Sequence, residues 1–217
     1  MNLLNRNRAI FRLFALAGGI LAACSVSCAQ GFSFGIVAGG SITSGFPNET
    51  IVMGPTSQFP QNTYASHSSD AGNYLIGAMA EIRLPLNLAV EADGIYRPLN
   101  FRSSISSVPP GAGSSSPSNT VLTWQFPVLL KYRAPALAPN LRPVFEVGPS
   151  FRVASNLNDT SPSNHGITAG AGVEERVRML RIAPVFRYSR WARDRTTALW
   201  PPRSSPNQVE AVVGLSF

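Results

Sequence analysis

The side chains best suited to acid–base or metal chemistry near neutral pH are the two histidines, His67 and His165. Each is expected in a polar loop rich in serine and asparagine, and neither has a third ligand at metal-binding spacing. Both cysteines, Cys24 and Cys28, fall before residue 30, which leaves the remainder without thiol for a structural zinc site or a disulfide. Ser163 stands two residues before His165, as a nucleophile and its base would in a hydrolase mounted on a barrel rim. A serine-rich loop produces such neighbours by chance. There is no GxSxG elbow, phosphate-binding glycine loop or calcium loop. These residues predict no catalytic site, no metal and no cofactor.

The charges are more informative, because they recur at every second position within apolar stretches. Glu81, Arg83, Glu91, Asp93, Arg97, Lys131, Arg133, Glu146, Arg152, Glu174, Arg176, Arg181, Arg187 and Glu210 all share a parity with glycines such as Gly77, Gly148, Gly170, Gly172 and Gly214. Large apolar side chains hold the other parity. On a water-facing sheet a glycine weakens the strand and gains nothing. Inside a narrow barrel, small residues make room for long charged neighbours, and acids and bases are numerous enough to pair. Glu81, Arg83, Glu91, Asp93, Arg97, Lys131, Glu146, Arg152, Glu174, Arg176, Arg187 and Glu210 are therefore expected to form a structural charge network in the lumen. The alternative use of the same charges is to line a narrow conduit.

Eight segments carry the alternation, each about ten residues long. They begin near Phe32, Tyr74, Leu88, Leu122, Phe145, Ile167, Leu180 and Gln208. The spacers between them are long after the first, third, fifth and seventh and shorter after the others, as in barrels with brief periplasmic turns and longer external loops. The fold class predicted is all-β, an eight-stranded antiparallel up-and-down transmembrane β-barrel. Lipid would exact about 2–4 kcal/mol for each Arg or Lys at mid-depth, and the apolar parity is nearly free of them. Tyr74, Tyr96, Tyr132, Tyr188 and Phe217 fall at segment ends, where interfacial girdles belong. Pro127, Pro143, Pro149 and Pro184 each remove a ladder donor and predict bulges or rim positions.

Residues 1–29 read as a cleaved signal peptide and 30–217 as the barrel domain. Arg6, Arg8 and Arg12 precede an apolar run, Leu13 to Ala23, too short to span a bilayer. Ser27 and Ala29 place the cut after Ala29. Leu21-Ala22-Ala23-Cys24 offers lipidation at Cys24 as a rival. Three of the 18 basic residues lie in this leader, so 15 remain against 11 acids, and no basic run with interleaved aromatics suggests nucleic acid.

Trp124 to Arg133, Arg142 to Ser150, and Pro184-Val185-Phe186-Arg187-Tyr188-Ser189-Arg190-Trp191 with Phe217 resemble the outer-membrane β-barrel domain family that includes PorT-like and OmpA-like eight-stranded proteins. The resemblance implies a fold and a bacterial outer-membrane location, with Phe217 similar to the terminal signal read by barrel-insertion machinery. It carries no activity, since members range from secretion components to anchors and adhesins.

The expected function is accordingly non-catalytic, structural or loop-mediated surface binding, with outer-membrane lipids and the insertion machinery as partners. A narrow channel or secretion-associated component is the alternative, and a lipid-modifying barrel enzyme the third. An unknown ligand would meet the external loops. These run from about Thr43 to Asn73, with Phe46, Phe59 and Tyr64, and from Ser103 to Ser118. A further loop bears Arg193, Asp194, Arg195 and Arg203, which suit anionic lipopolysaccharide.

Overall fold

A computed structural model describes residues 31–55, 62–69, 71–107, 118–154, 162–194 and 203–217. The leader with its two processing sites, Phe59 and Arg195 lie outside these residues. The described chain forms ten strands: β1 (Phe32–Ser41), β2 (Glu49–Met53), β3 (Thr63–Ser68), β4 (Tyr74–Arg83), β5 (Leu88–Ser107), β6 (Ser118–Arg133), β7 (Leu141–Ala154), β8 (His165–Val177), β9 (Leu180–Trp191) and β10 (Asn207–Ser216).

Eight of them close a barrel in the ring order β1, β4, β5, β6, β7, β8, β9, β10, every neighbour antiparallel. The seam is β1 against β10, from Gly35 opposite Ser216 to Ser41 opposite Glu210. Closure leaves no barrel strand with an unpaired edge, which is what apolar segments rich in Val, Ile, Phe and Tyr need in order not to aggregate. The β4–β5, β6–β7 and β8–β9 connections are short and stand at one end with Phe32 and Phe217. The long connections stand at the other.

Three local features differ from the sequence-based expectation. The Thr43 to Asn73 connection contains a hairpin, β2 and β3, which pairs on to β5 (Thr63 opposite Ser107, Ser68 opposite Arg102). Its strands are short, β2 with its apolar residues in one run and β3 mostly small and polar, so they carry little alternation. The Ser103 to Ser118 tract is partly strand, because β5 continues to Ser107 and β6 starts at Ser118. The prolines make no bulge. At Pro127 the pairs 93–127 and 94–126 drop out of the β5–β6 ladder, at Pro149 the pairs 128–149 and 129–148 drop out of the β6–β7 ladder, and both ladders keep one register across the gap. A proline can sit in a closed wall this way when its missing donor falls in a short gap that neighbouring rungs hold shut. Pro143 alone is near a rim, opposite Val173, with its carbonyl accepting the amide of Ala134 at 2.9 Å.

The interior glycines also differ in role. A Cβ at Gly35, Gly77, Gly148 or Gly172 would collide with a backbone carbonyl of the adjacent strand, respectively Leu215, Gly94, Val128 and Pro184. These glycines let strands coil tightly against each other. Gly170 is the one that yields space to a charged side chain, that of Glu146. Gly148→Ala is therefore expected to destabilise the barrel by about 1–3 kcal/mol through overpacking. Gly94→Ala, whose Cβ would meet only the Phe126 ring at 3.7 Å, is expected to be near neutral. Urea unfolding in detergent compares the two.

Candidate functional site

Residue parity sorts the wall into two faces. Phe34, Ile76, Phe126, Phe145, Ile167 and Phe186 are exposed on the outside, Phe186 at 65%, whereas Glu81, Glu91, Arg97, Lys131, Glu146 and Arg187 are at most 3% exposed inside. Tyr74, Tyr96 and Trp124 form an aromatic strip near the long-loop end, with ring centroids 6.4 and 5.5 Å apart. Phe32, Tyr132 and Phe217 are exposed near the short-turn end. Trp124 and Tyr132 are eight residues apart on β6, about 27 Å of strand, or about 20 Å of height at a typical barrel tilt.

Nine interior charges form one linked network. Arg187 bridges three acids: Nη2 reaches Glu91 at 2.8 Å, Nη1 reaches Asp93 at 2.7 Å, and Nε donates to Glu146. Lys131 pairs with Glu91 and lies 3.8 Å from both Glu81 and Glu146. Arg133 continues towards the short turns, 2.6 Å from Glu81 and 2.9 Å from Glu174, and Arg181 reaches Glu81 at 2.9 Å. Four bases thus face five acids, and Arg83, 3.7 Å from Glu81, evens the count. Such mutual neutralisation is what permits ions to be buried at all.

Towards the long loops, Arg97 pairs with Glu210 and donates to Gln208 and Ser41 at 2.9 and 2.8 Å. Gln208 also accepts from Trp191 Nε1 at 2.8 Å. Arg152 lies apart, its guanidinium 4.3 Å from the centre of the Trp191 ring and its Nε donating to the Ser163 carbonyl at 3.0 Å. Arg83 and Arg176, placed by sequence in the network, are exposed at the short-turn mouth, because each is the outermost inward position of its strand. Arg133 and Arg181 belong to it fully; their alternation with Lys131 and Arg187 is the signal that marks them.

The network is not the whole interior. Val37, Leu75, Ile95, Val144, Ala183, Val185 and Val212 form a buried apolar cluster within the barrel, and Met79 and Leu129 are buried on the same inward parity. These aliphatics and the ion network together fill the middle. A cavity of about 520 Å³ opens at the short-turn end, lined by Arg83, Arg133, Arg142, Arg176, Arg181 and Glu174 among others.

The remaining sequence candidates fare differently. Ser163 Oγ donates to the carbonyl of His165 at 3.0 Å, while the His165 ring is exposed and meets Asn164 at 2.8 Å. The serine and imidazole are thus not joined as nucleophile and base. His67 lies within β3 opposite Glu49 and Ser103 rather than in a loop, and His165 opens β8. Among the described residues no group of three His, Cys, Asp or Glu is placed to hold a metal ion. Phe46 is not displayed by its loop but buried against Leu99, Phe101 and Val121, its ring 4.9 Å from that of Phe101. Tyr64 is half-buried on β3. Asp194 turns inward and accepts from the amides of Ser163 and Ser204 at 2.7 and 2.5 Å, leaving Arg193 and Arg203 exposed.

No family model matches the chain, and no curated protein matches it in sequence. Among solved structures it is similar to the outer membrane protein OprG from Pseudomonas aeruginosa, at 14% identity and a TM-score of 0.48, over 88% of this chain and 97% of that one. It is also similar to the translocator domain of the autotransporter NalP from Neisseria meningitidis, at 10% identity and a TM-score of 0.34, over 97% of each chain.

Proposed function

We propose that the chain is an integral barrel of the bacterial outer membrane, non-catalytic and closed to ions, that presents its long-loop end for structural or surface binding. The observation that carries this reading is the inversion of burial: large apolar side chains cover the outside while ion pairs lie inside. Water would penalise both halves of that arrangement, and acyl chains reward the first while the pairing tolerates the second. The height between the aromatic rings, about 20 Å, approaches the roughly 25 Å apolar band of such barrels.

On this reading the short turns face the periplasm and the β2–β3 hairpin projects outward. The hairpin is tied to β5, where the Ser66 and Ser104 hydroxyls bond at 2.5 Å and the Ser69 hydroxyl donates to the Asn100 carbonyl at 2.7 Å, and its base is closed by the Ser69 amide donating to Asn48 at 2.9 Å. A tethered hairpin gives a surface ligand a pre-organised platform. Exposed Arg193 and Arg203 would meet lipopolysaccharide phosphates, and Phe217, exposed beside β1, offers the aromatic that barrel insertion reads. The filled lumen supports a plug over a conduit.

Expression in a Gram-negative host with carbonate extraction and an unboiled gel tests the location. A heat-modifiable band in the carbonate-resistant outer-membrane fraction is expected, and recovery from the soluble periplasm would overturn the proposal. In planar bilayers the purified protein should give no reproducible discrete openings.

A further inference from the structure

The cavity at the short-turn end differs from the rest of the interior in having too much positive charge. Arg83, Arg133, Arg142, Arg176 and Arg181 line it, one each from β4, β6, β7, β8 and β9, and all occupy inward-facing register positions. Only Glu174 among the lining residues is acidic, and Glu81 lies behind Arg133 and Arg181. Arg142 makes no ion pair with a described residue, and among the described residues the Arg176 guanidinium donates only to the carbonyl of Arg178, at 3.4 Å. Deeper in, Arg181 is 5% exposed, and its Nη2 is buried without a hydrogen-bond partner. An unpaired guanidinium nitrogen buried behind the wall of a cationic cavity, on a residue that lines it, is a donor awaiting an acceptor.

We propose that this vestibule is a binding site for a small multivalent anion bearing phosphate or carboxylate groups. Arg181 is its innermost cation, whose buried Nη2 a side-chain rotation would present to the anion, and Arg142 and Arg176 are its outer clamps. The enclosure concentrates the field of the surplus cations, and guanidinium forks match the paired oxygens of phosphate and carboxylate. At about 520 Å³ the space exceeds what one inorganic phosphate fills and lies in the range of ordinary small-ligand sites. Leu84, Leu86 and Leu88 line one side, so an anionic lipid headgroup and a free anion share the chemistry required. The inference needs only the barrel, and its test in micelles is independent of the fractionation test above.

Calorimetric titration of the folded protein in neutral maltoside micelles tests it, with inorganic pyrophosphate in one arm and short-chain phosphatidylglycerol or phosphatidylcholine in the other. Saturable binding of pyrophosphate is expected. Binding of phosphatidylglycerol alone would assign the site to a headgroup. Arg142→Gln with Arg176→Gln, both exposed and outside the buried network, should weaken binding at least about tenfold. The single variants, each weakening it by about threefold, serve if the double variant does not fold. Arg102→Gln with Arg190→Gln removes equal charge from the opposite end and should leave binding unchanged. No saturable binding by either anion, equal weakening by both double variants, or equal binding of the two lipids would overturn the proposal.

Discussion

Arg187→Met is expected to cost the barrel about 3–5 kcal/mol, because it leaves buried acids without their principal cation. Arg187 holds Glu91, Asp93 and Glu146 at once, and its removal leaves Glu91 and Glu146 to Lys131 and takes away the one cation paired with Asp93 among the described residues. The methionine fills a similar volume, so the loss is one of charge compensation rather than packing. If that is the cause, Glu146→Gln placed in the Arg187→Met background should recover part of the stability, although by itself it breaks a good ion pair. A double-mutant cycle from urea titrations of the folded barrel in detergent measures the coupling. Additive costs, with no recovery in the double variant, would show that the acids are not acting on one another through Arg187.

Phe186→Arg should be comparably damaging in a bilayer, by about 2–4 kcal/mol, since the residue stands halfway along β9 with its ring pointing outward. Its partners across the two ladders, Ala171 and Ala211, are too small to shelter a guanidinium, and neither rim is near enough for it to reach water easily. The same substitution on a water-washed sheet would be neutral or favourable, so its sign separates the two environments. Comparing the folded fraction of wild type and variant in urea titrations with phosphatidylcholine vesicles reads it directly. A variant as stable as wild type would remove the support for an acyl-chain environment.

Much of the fold was legible because barrel strands obey a period of two and this chain keeps it over eight segments. Lys131 shares a side with Glu81, Glu91 and Glu146 by simple parity once the register runs unbroken, yet parity says nothing of which base meets which acid. That depends on how far the strands are sheared past each other, a property of the closed ring rather than of any segment. The inward aliphatics were harder to see. Val37, Leu75, Ile95, Val144, Val185 and Val212 interrupt the alternation, and a pattern that assigns apolar side chains to one face passes over them. The role of Gly35 and Gly148 was hidden for a related reason: what occupies the place of their missing Cβ is the backbone of a neighbouring strand, not a side chain that composition could suggest. The prolines misled through their usual association with edges, since a closed wall can hold short gaps at Pro127 and Pro149 without changing register.

The β1–β10 seam has a kinetic meaning. Gly35 and Ser216 lie opposite one another although 181 positions separate them along the polypeptide, so the pairing that seals the wall has nearly the greatest loop to close. Hairpins such as β8–β9 can assemble early and locally, but until β10 docks, β1 and β9 each offer a raw hydrogen-bonding edge beside an apolar surface. Until that last pairing forms, those two edges are the part of the wall most open to pairing with another chain.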